Sequence, residues 1–353
     1  MELRIPPHEM LARFEDVNIA APMVRYSKLP FRELVSSYEA HITHTPMILA
    51  KEFSRSSSAR ASDFTTSKSE RGIFTMRERR PARTGPIDLD LEANLAHDSV
   101  HSGVQVQGAL VAQFAATDAR TFADACELIS PYVDGVDLNC GCPQSWAYQE
   151  HIGSYLLRQP ETVRDIIRGA HDRCGWNFPV SIKIRVDDDT RCTQRLVETA
   201  IQAGASHISI HGRTRHQAST APVSLSAISF AVSCAKGLVP TVANGDIFTL
   251  SDARSIRSET GVDGVMAARG LLANPALFAD EGKNGTPDEA VKRFVKLGVG
   301  YGLQFGSIHR HVAFMLESRL TRPGMKYLNS LVSTPALLDF LAEIGILDGG
   351  PLL

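Results

Sequence analysis

Eight short apolar runs, separated for the most part by stretches of helical spacing, restrict this chain more than any other feature. They lie at residues 18–24, 41–47, 109–114, 179–186, 206–211, 238–243 and 262–267, and at the start of the stretch 136–144. Each has the length and branched or alternating character of a strand and stops at glycine, proline or polar residues. Helical spacing follows several of them, at 30–38, 118–129 (Asp118 as N-cap), 161–171 and 192–203. A βα alternation predicts parallel strands joined by right-handed crossovers. Eight units favour a closed (β/α)8 TIM barrel over an open sheet. Such a barrel uses about 250 residues, fewer than the 353 present. After Pro275 only helical periodicity remains (Val291, Phe294, Val295, Leu297; Val312, Phe314, Met315). A barrel over 1–283 followed by a small C-terminal helical domain over 284–353 is therefore expected.

With 43% hydrophobic and 22% charged residues the chain can bury an ordinary globular core. It holds no apolar run long enough to span a bilayer. The first residues lack the cationic start and apolar core of a signal peptide, so an intracellular location is expected, the cytoplasm first and the nucleus second. Six scattered cysteines suit free thiols rather than a disulfide framework. The net charge of −2 excludes a broadly basic surface, so a nucleic-acid partner would need local positive charge. Two places offer it. Residues 67–107 lack a sustained apolar period and read as an inserted, largely disordered loop whose arginines, between 76 and 83, either grip phosphates or solvate a linker. In the helical region Lys292, Arg293, Lys296, His309, Arg310, His311, Arg319, Arg322 and Lys326 give a cationic bias, which a solvated helical face would also explain.

Chemistry in such a barrel sits at the C-terminal ends of the strands. Those ends carry Met23, Gln113, Asn139 with Cys142, Lys183 with Arg185, His211, Asn244-Gly245-Asp246 and Ala268-Arg269. The last two groups follow the seventh and eighth strands, where barrels commonly build phosphate sites. Gly245 and Gly270 permit close backbone approach and Arg269 can hold an anion through paired hydrogen bonds, which implies a phosphate-bearing cofactor. Cys140 and Cys142 could be half of a zinc site, but Cys126, Cys174, Cys192 and Cys234 lie singly elsewhere, so no metal is expected. Cys140 reads as a packed small hydrophobe. Lys183 could be the Schiff-base lysine of an aldolase barrel, a reading that leaves the Asn139–Pro143 turn without a role. His41, His44 and His207, inside strands, read as satisfied structural histidines.

Taken in order, Ala21-Pro-Met23, Gln113-Phe-Ala115, Asp137-Leu-Asn-Cys-Gly-Cys-Pro143, Ser181-Ile-Lys-Ile-Arg185, His211-Gly-Arg213, Asn244-Gly-Asp246 and Gly264-Val-Met-Ala-Ala-Arg-Gly270 resemble the motifs of the tRNA-dihydrouridine synthases. The resemblance runs from about residue 18 to 345, interrupted near 67–107. The stretches 21–29, 139–144 and 269–275 are most similar to the eukaryotic branch acting at tRNA positions 20a and 20b.

The resemblance implies FMN-dependent reduction of the uracil C5=C6 bond, with NADPH, or NADH, reducing the flavin. It implies that Pro22, Met23 and Val24 run along the isoalloxazine ring and that Gln113 and Lys183 bond its polar edge. Asn244, Gly245, Asp246, Ala268 and Arg269 would hold the phosphate, and His211 would lie between flavin and RNA. Asn139 and Arg185 would orient the uracil, and Cys142 would protonate C5. A thiol, ordinarily near pKa 8.5, suits a proton donor here, because it is protonated at neutral pH yet leaves an accessible thiolate. The implied partner is tRNA, bound in a basic groove between the helical domain and the barrel mouth, with no membrane and no oligomer expected. Two other classes compete: a small-molecule FMN oxidoreductase of the dihydroorotate or dihydropyrimidine type, and an RNA-binding protein that has lost catalysis. Intact Cys142, Lys183 and His211 speak against the latter.

Overall fold

The computed structural model describes residues 3–79 and 103–347. Among these, eight parallel strands close into a barrel: β1 (Val17–Ala20), β2 (Ile42–His44), β3 (Ala109–Ala115), β4 (Gly135–Cys140), β5 (Val180–Arg185), β6 (Ile208–His211), β7 (Thr241–Asn244) and β8 (Gly264–Ala267). Each pairs with its successor, and β8 returns to β1 in the register Val17↔Gly264 to Ala20↔Ala267. The strands are buried on both faces because helices cover the outside while side chains fill the lumen. Helices Ala119–Ile129, Thr190–Ala203, Leu225–Ala235 and Leu250–Thr260 begin at side-chain caps (Asp118, Asp189, Ser224 and Thr249) that satisfy otherwise unpaired amides. The barrel expected from the apolar runs is the barrel found.

Two strands stop three or four residues before the end of their apolar runs. β1 stops at Ala20 and β2 at His44, because Pro22 and Pro46 have no N–H to continue a ladder. Residues 21–28 instead form a loop stapled by Ser27, whose hydroxyl donates to the Ala21 carbonyl and accepts from the Met23 amide.

The lumen is asymmetric. Helix Pro7–Arg13 plugs its N-terminal end with Met10 and Leu11, which pack with Phe14, Val17, Ile19, Val242 and Met266 in an apolar cluster. The lumen side of β4 to β6 is polar by contrast: Asp137, Ser181 and Ser209 are buried. His41 is satisfied, its Nδ1 accepting from the Asn18 amide. The structural reading of the other two is corrected in part. His44 bonds the Ala20 carbonyl through one nitrogen only, and neither nitrogen of buried His207 meets a partner among the described residues.

The expected disorder over 67–107 is corrected at both ends. Ser67 caps a 3-10 turn, Lys68–Glu70, and Ile73–Met76 pairs antiparallel with Val104–Gln107. Glu70 is buried and ion-paired with equally buried Arg32, whose remaining N–H groups reach the carbonyls of Ser27 (2.7 Å) and Thr65 (2.6 Å). One guanidinium thus ties the start of this segment to the loop after β1. Residues 80–102, including part of the arginine run, lie outside the described residues.

Helices Asp288–Gly300, Phe305–Leu316, Arg322–Ser330 and Thr334–Glu343 follow the barrel. Their apolar faces (Val291, Phe294, Val312, Met315, Leu337) continue the cluster on the barrel's outer side. They seat on helix Leu29–Ser36, where the Tyr301 hydroxyl donates to Glu33 (2.6 Å). His311 does not belong with the cationic surface: it is buried among Phe294, Phe31 and Tyr26, with ring centroids 4.6–5.3 Å away, and burial lowers its pKa to about 3. No described helix is long and apolar enough to cross a membrane.

Glu70→Ala would leave Arg32 buried without its carboxylate. It is expected to cost about 3–5 kcal/mol in urea unfolding, and a loss below ~1 kcal/mol would mean that the two carbonyls suffice.

Candidate active site

A chain of buried hydrogen bonds crosses β3, β4 and β5 toward their C-terminal ends. The Asp137 carboxylate accepts from Ser181 Oγ and from Gln113 Nε2, both at 2.7 Å. Gln113 Oε1 accepts from Asn139 Nδ2 at 2.7 Å, and Asn139 Oδ1 accepts from the amides of Gly141 (3.0 Å) and Cys142 (2.9 Å). The turn carrying Cys142 is therefore the last link of a network rooted in the barrel interior. Its other side is pinned by the Ser154 amide, which donates to the Cys142 carbonyl at 3.0 Å. Gly153 is required there: its φ is +64°, and a Cβ would come within 2.9 Å of the Cys142 backbone. Cys142 is left partly exposed at the mouth. Cys140 points away, fully buried, and burial pushes its thiol pKa well up.

Lys183 and Arg185 project from β5 on the same side as Asp137. Burial lowers the Lys183 pKa to about 8, opposed by the charge of Asp137, while burial raises Asp137 to about 6, opposed by its hydrogen bonds and by Lys183. At neutral pH both are charged, and each feels the other's charge across the lumen. Lys183 and Arg185 both feel the Cys142 sulfur electrostatically, so β4 and β5 do converge. The Arg185 guanidinium donates to the carbonyls of Gly141 (3.1 Å) and Thr214 (2.8 Å). His211, on β6, is held far below the ordinary imidazole range by burial and then by Lys183, Arg185, Arg213 and Arg269. It is a neutral hydrogen-bonding group, not a cation.

Beyond His211 a cavity of about 70 Å³ is lined by Arg213, Asn244, Gly245, Asp246, Ala268 and Arg269. Asp246 bridges buried Arg213 and half-exposed Arg269. Asn244 ties β7 to β8 by donating to the Met266 carbonyl at 2.8 Å. Gly245 has φ +134°, and a Cβ there would lie 2.5 Å from Val223. Across the mouth, Pro22 and Met23 are partly buried in the loop after β1, and Val24 is 53% exposed. A larger cavity, about 570 Å³, opens among Glu15, Asn18, His41 and Arg257 at the opposite, N-terminal end, so size does not mark the chemistry.

All the residues expected at the site lie on this face of the barrel, though Asn139 and Gln113 spend most of their bonding capacity on each other and on the Cys142 turn. Asp137, Ser181 and Arg213 carry weight that the strand-end pattern did not assign. An acid inside an apolar strand is the available signal for Asp137; Arg213 is explained by the Ala221 carbonyl and by Asp246, 33 residues on. Among the described residues no group of three or more His, Cys, Asp or Glu could hold a metal ion.

The family model for dihydrouridine synthase (Dus) matches residues 19–85 and 90–322. The tRNA-dihydrouridine(20a/20b) synthase-like protein of Mus musculus is 39% identical over 97% of this chain and 93% of its own length. The tRNA-dihydrouridine(20a/20b) synthase of Schizosaccharomyces pombe is 40% identical over 87% of this chain and 81% of its own. A solved structure of 2-naphthoyl-CoA reductase with 2-naphthoyl-CoA overlays with a TM-score of 0.50 at 9% identity, covering 80% of this chain and 53% of that one, a likeness of fold alone. With the family model matching most of its length and such relatives along nearly all of it, the chain belongs to the dihydrouridine synthase family.

Proposed function

We propose that the protein is a tRNA-dihydrouridine synthase, reducing the uracil C5=C6 bond at positions 20a and 20b with FMN as cofactor and NAD(P)H as reductant. The observation that carries this reading is the partly exposed Cys142 thiol, held over the strand ends beside Arg185 and the partly buried Lys183. The positions come from the names of the mouse and fission-yeast relatives.

The residues present fit a phosphate-bearing flavin. Arg213 and Arg269 share a single carboxylate, which leaves net positive charge, and Gly245 leaves bare backbone beside them. FMN, when bound, supplies the hydride for C6. Cys142 gives its proton to C5 on the other side. Lys183 would stabilise negative charge on a bound flavin, and Gln113 has one amide hydrogen left that would serve the same group. Neutral His211 holds a hydrogen bond without competing for the proton. Pro22, Met23 and Val24 offer an apolar wall. Arg185, braced by two carbonyls, presents its remaining N–H groups to the uracil carbonyls, while Asn139 contributes chiefly by fixing the thiol.

A stacked uridine cannot reach this site, so it must be flipped out, at a cost of a few kcal/mol. Arg293, Lys296, Arg310, Arg322 and Lys326 are exposed on the C-terminal helices and would offset that cost by phosphate neutralisation. This makes residues 284–353 the tRNA-binding domain of the molecule. A small-molecule reductase on the same barrel would show no such salt dependence.

Cys142→Ala is expected to lower dihydrouridine formation about 10²–10⁴-fold while NADPH still reduces the flavin. In cells it should erase dihydrouridine at 20a and 20b alone, read by site-resolved mapping; loss elsewhere, or wild-type activity, would refute the assignment. Lys183 loses its proton as pH rises through about 8. Activity should therefore fall above that pH, and Lys183→Arg should move the falling limb to higher pH.

A further inference from the structure

Beside the thiol lies a second cavity, of about 340 Å³, that the mechanism leaves unused. It is lined by Tyr148, Ser154, Tyr155, Arg158, Asp187 and Arg215. It shares both walls with the proposed uracil site: Ser154 donates its amide to Cys142, and Arg185 donates its guanidinium to Thr214, which also borders the cavity. We infer that this cavity binds a second nucleobase, that of the nucleotide adjacent in the RNA chain to the flipped uridine. The inference deepens the tRNA reading and rests on it.

The chemistry of the lining selects the ligand. The Arg215 guanidinium lies 3.7 Å from the Tyr148 ring centroid, Tyr155 meets Tyr148 edge-on at 5.4 Å, and His151 stacks on Tyr155 at 4.4 Å. Aromatic rings and guanidinium planes are the surfaces on which unstacked bases settle. Asp187 is neutralised by a two-pronged bond from Arg158, at 2.8 and 2.9 Å, so the pair offers acceptors and donors to a base edge without net charge. Asp188 and Arg215 also border the cavity and balance each other, so the lining carries no excess positive charge that would select a phosphate. Ser154, 3% exposed, borders the cavity, and its buried hydroxyl has no partner among the described residues. A buried hydroxyl left unpaired costs free energy, and a base edge would supply what it lacks. The volume suits one nucleoside rather than a dinucleotide cofactor.

The test is a double-mutant cycle on the full-length holoenzyme. tRNA transcripts carry an abasic residue on the 5′ or the 3′ side of the target uridine, and each is assayed with wild-type enzyme, Tyr148→Ala and Tyr148→Phe. Production of dihydrouridine by wild-type enzyme on intact tRNA first verifies the underlying reading by itself. Losing the stack should then raise KM for tRNA about tenfold or more, whether the loss comes from Tyr148→Ala or from one of the two abasic sites. Combining the two should cost little beyond either alone. Tyr148→Phe should match wild type, and the rate of flavin reduction by NADPH should not change in any variant. If both abasic sites are tolerated by wild-type enzyme, if the losses simply multiply, or if Tyr148→Ala acts through KM for NADPH, the inference is overturned.

Discussion

A single buried carboxylate organises the chemical half of this barrel. Asp137 sits on β4 with partners on β3 and β5, and through Gln113 and Asn139 its hydrogen bonds end at the amide of Cys142. Polar groups this deep must be paired, and each one orphaned costs about 1–3 kcal/mol. The network therefore resists any displacement of its members, and the Cys142 sulfur inherits the rigidity of three strands although it stands on a loop. Lys183 lies within the same field, which lowers its pKa by burial and limits the fall through the charge of Asp137.

Much of this was legible in the sequence because barrel strands are buried on both faces and so read as short apolar runs with abrupt polar ends. Helix starts were legible where a cap marks them, as at Asp118. Strand-end side chains were legible because topology sends them to one place. What escaped had partners far along the chain. Arg71 pairs with Asp134, 63 residues on, and Glu70 pairs with Arg32, so charged residues that looked solvated are structural. In the sequence His311 reads as a surface cation because its helix carries Arg310 beside it; the packing of Phe294, Phe31 and Tyr26 takes it inside.

The lumen records a compromise between stability and function. Its β1, β7 and β8 side is filled by apolar residues and plugged by Met10 and Leu11, while its β4 to β6 side keeps hydroxyls, imidazoles and charges. His207 and Ser209 remain unpaired there among the described residues. A barrel selected for stability alone would replace them with aliphatic side chains.

The loop after β1 is gripped from two sides. Arg32 takes the Ser27 carbonyl from below, and the rings of His311 and Phe314 lean on Tyr26 from the helical side. Met23 lies three residues away in the same stapled loop. The terminal helices and one wall of the reaction chamber are in this sense a single mechanical part, so a cargo that tilts the helices also reshapes the chamber. Discrimination among such cargoes can then be expressed as turnover, and not only as grip.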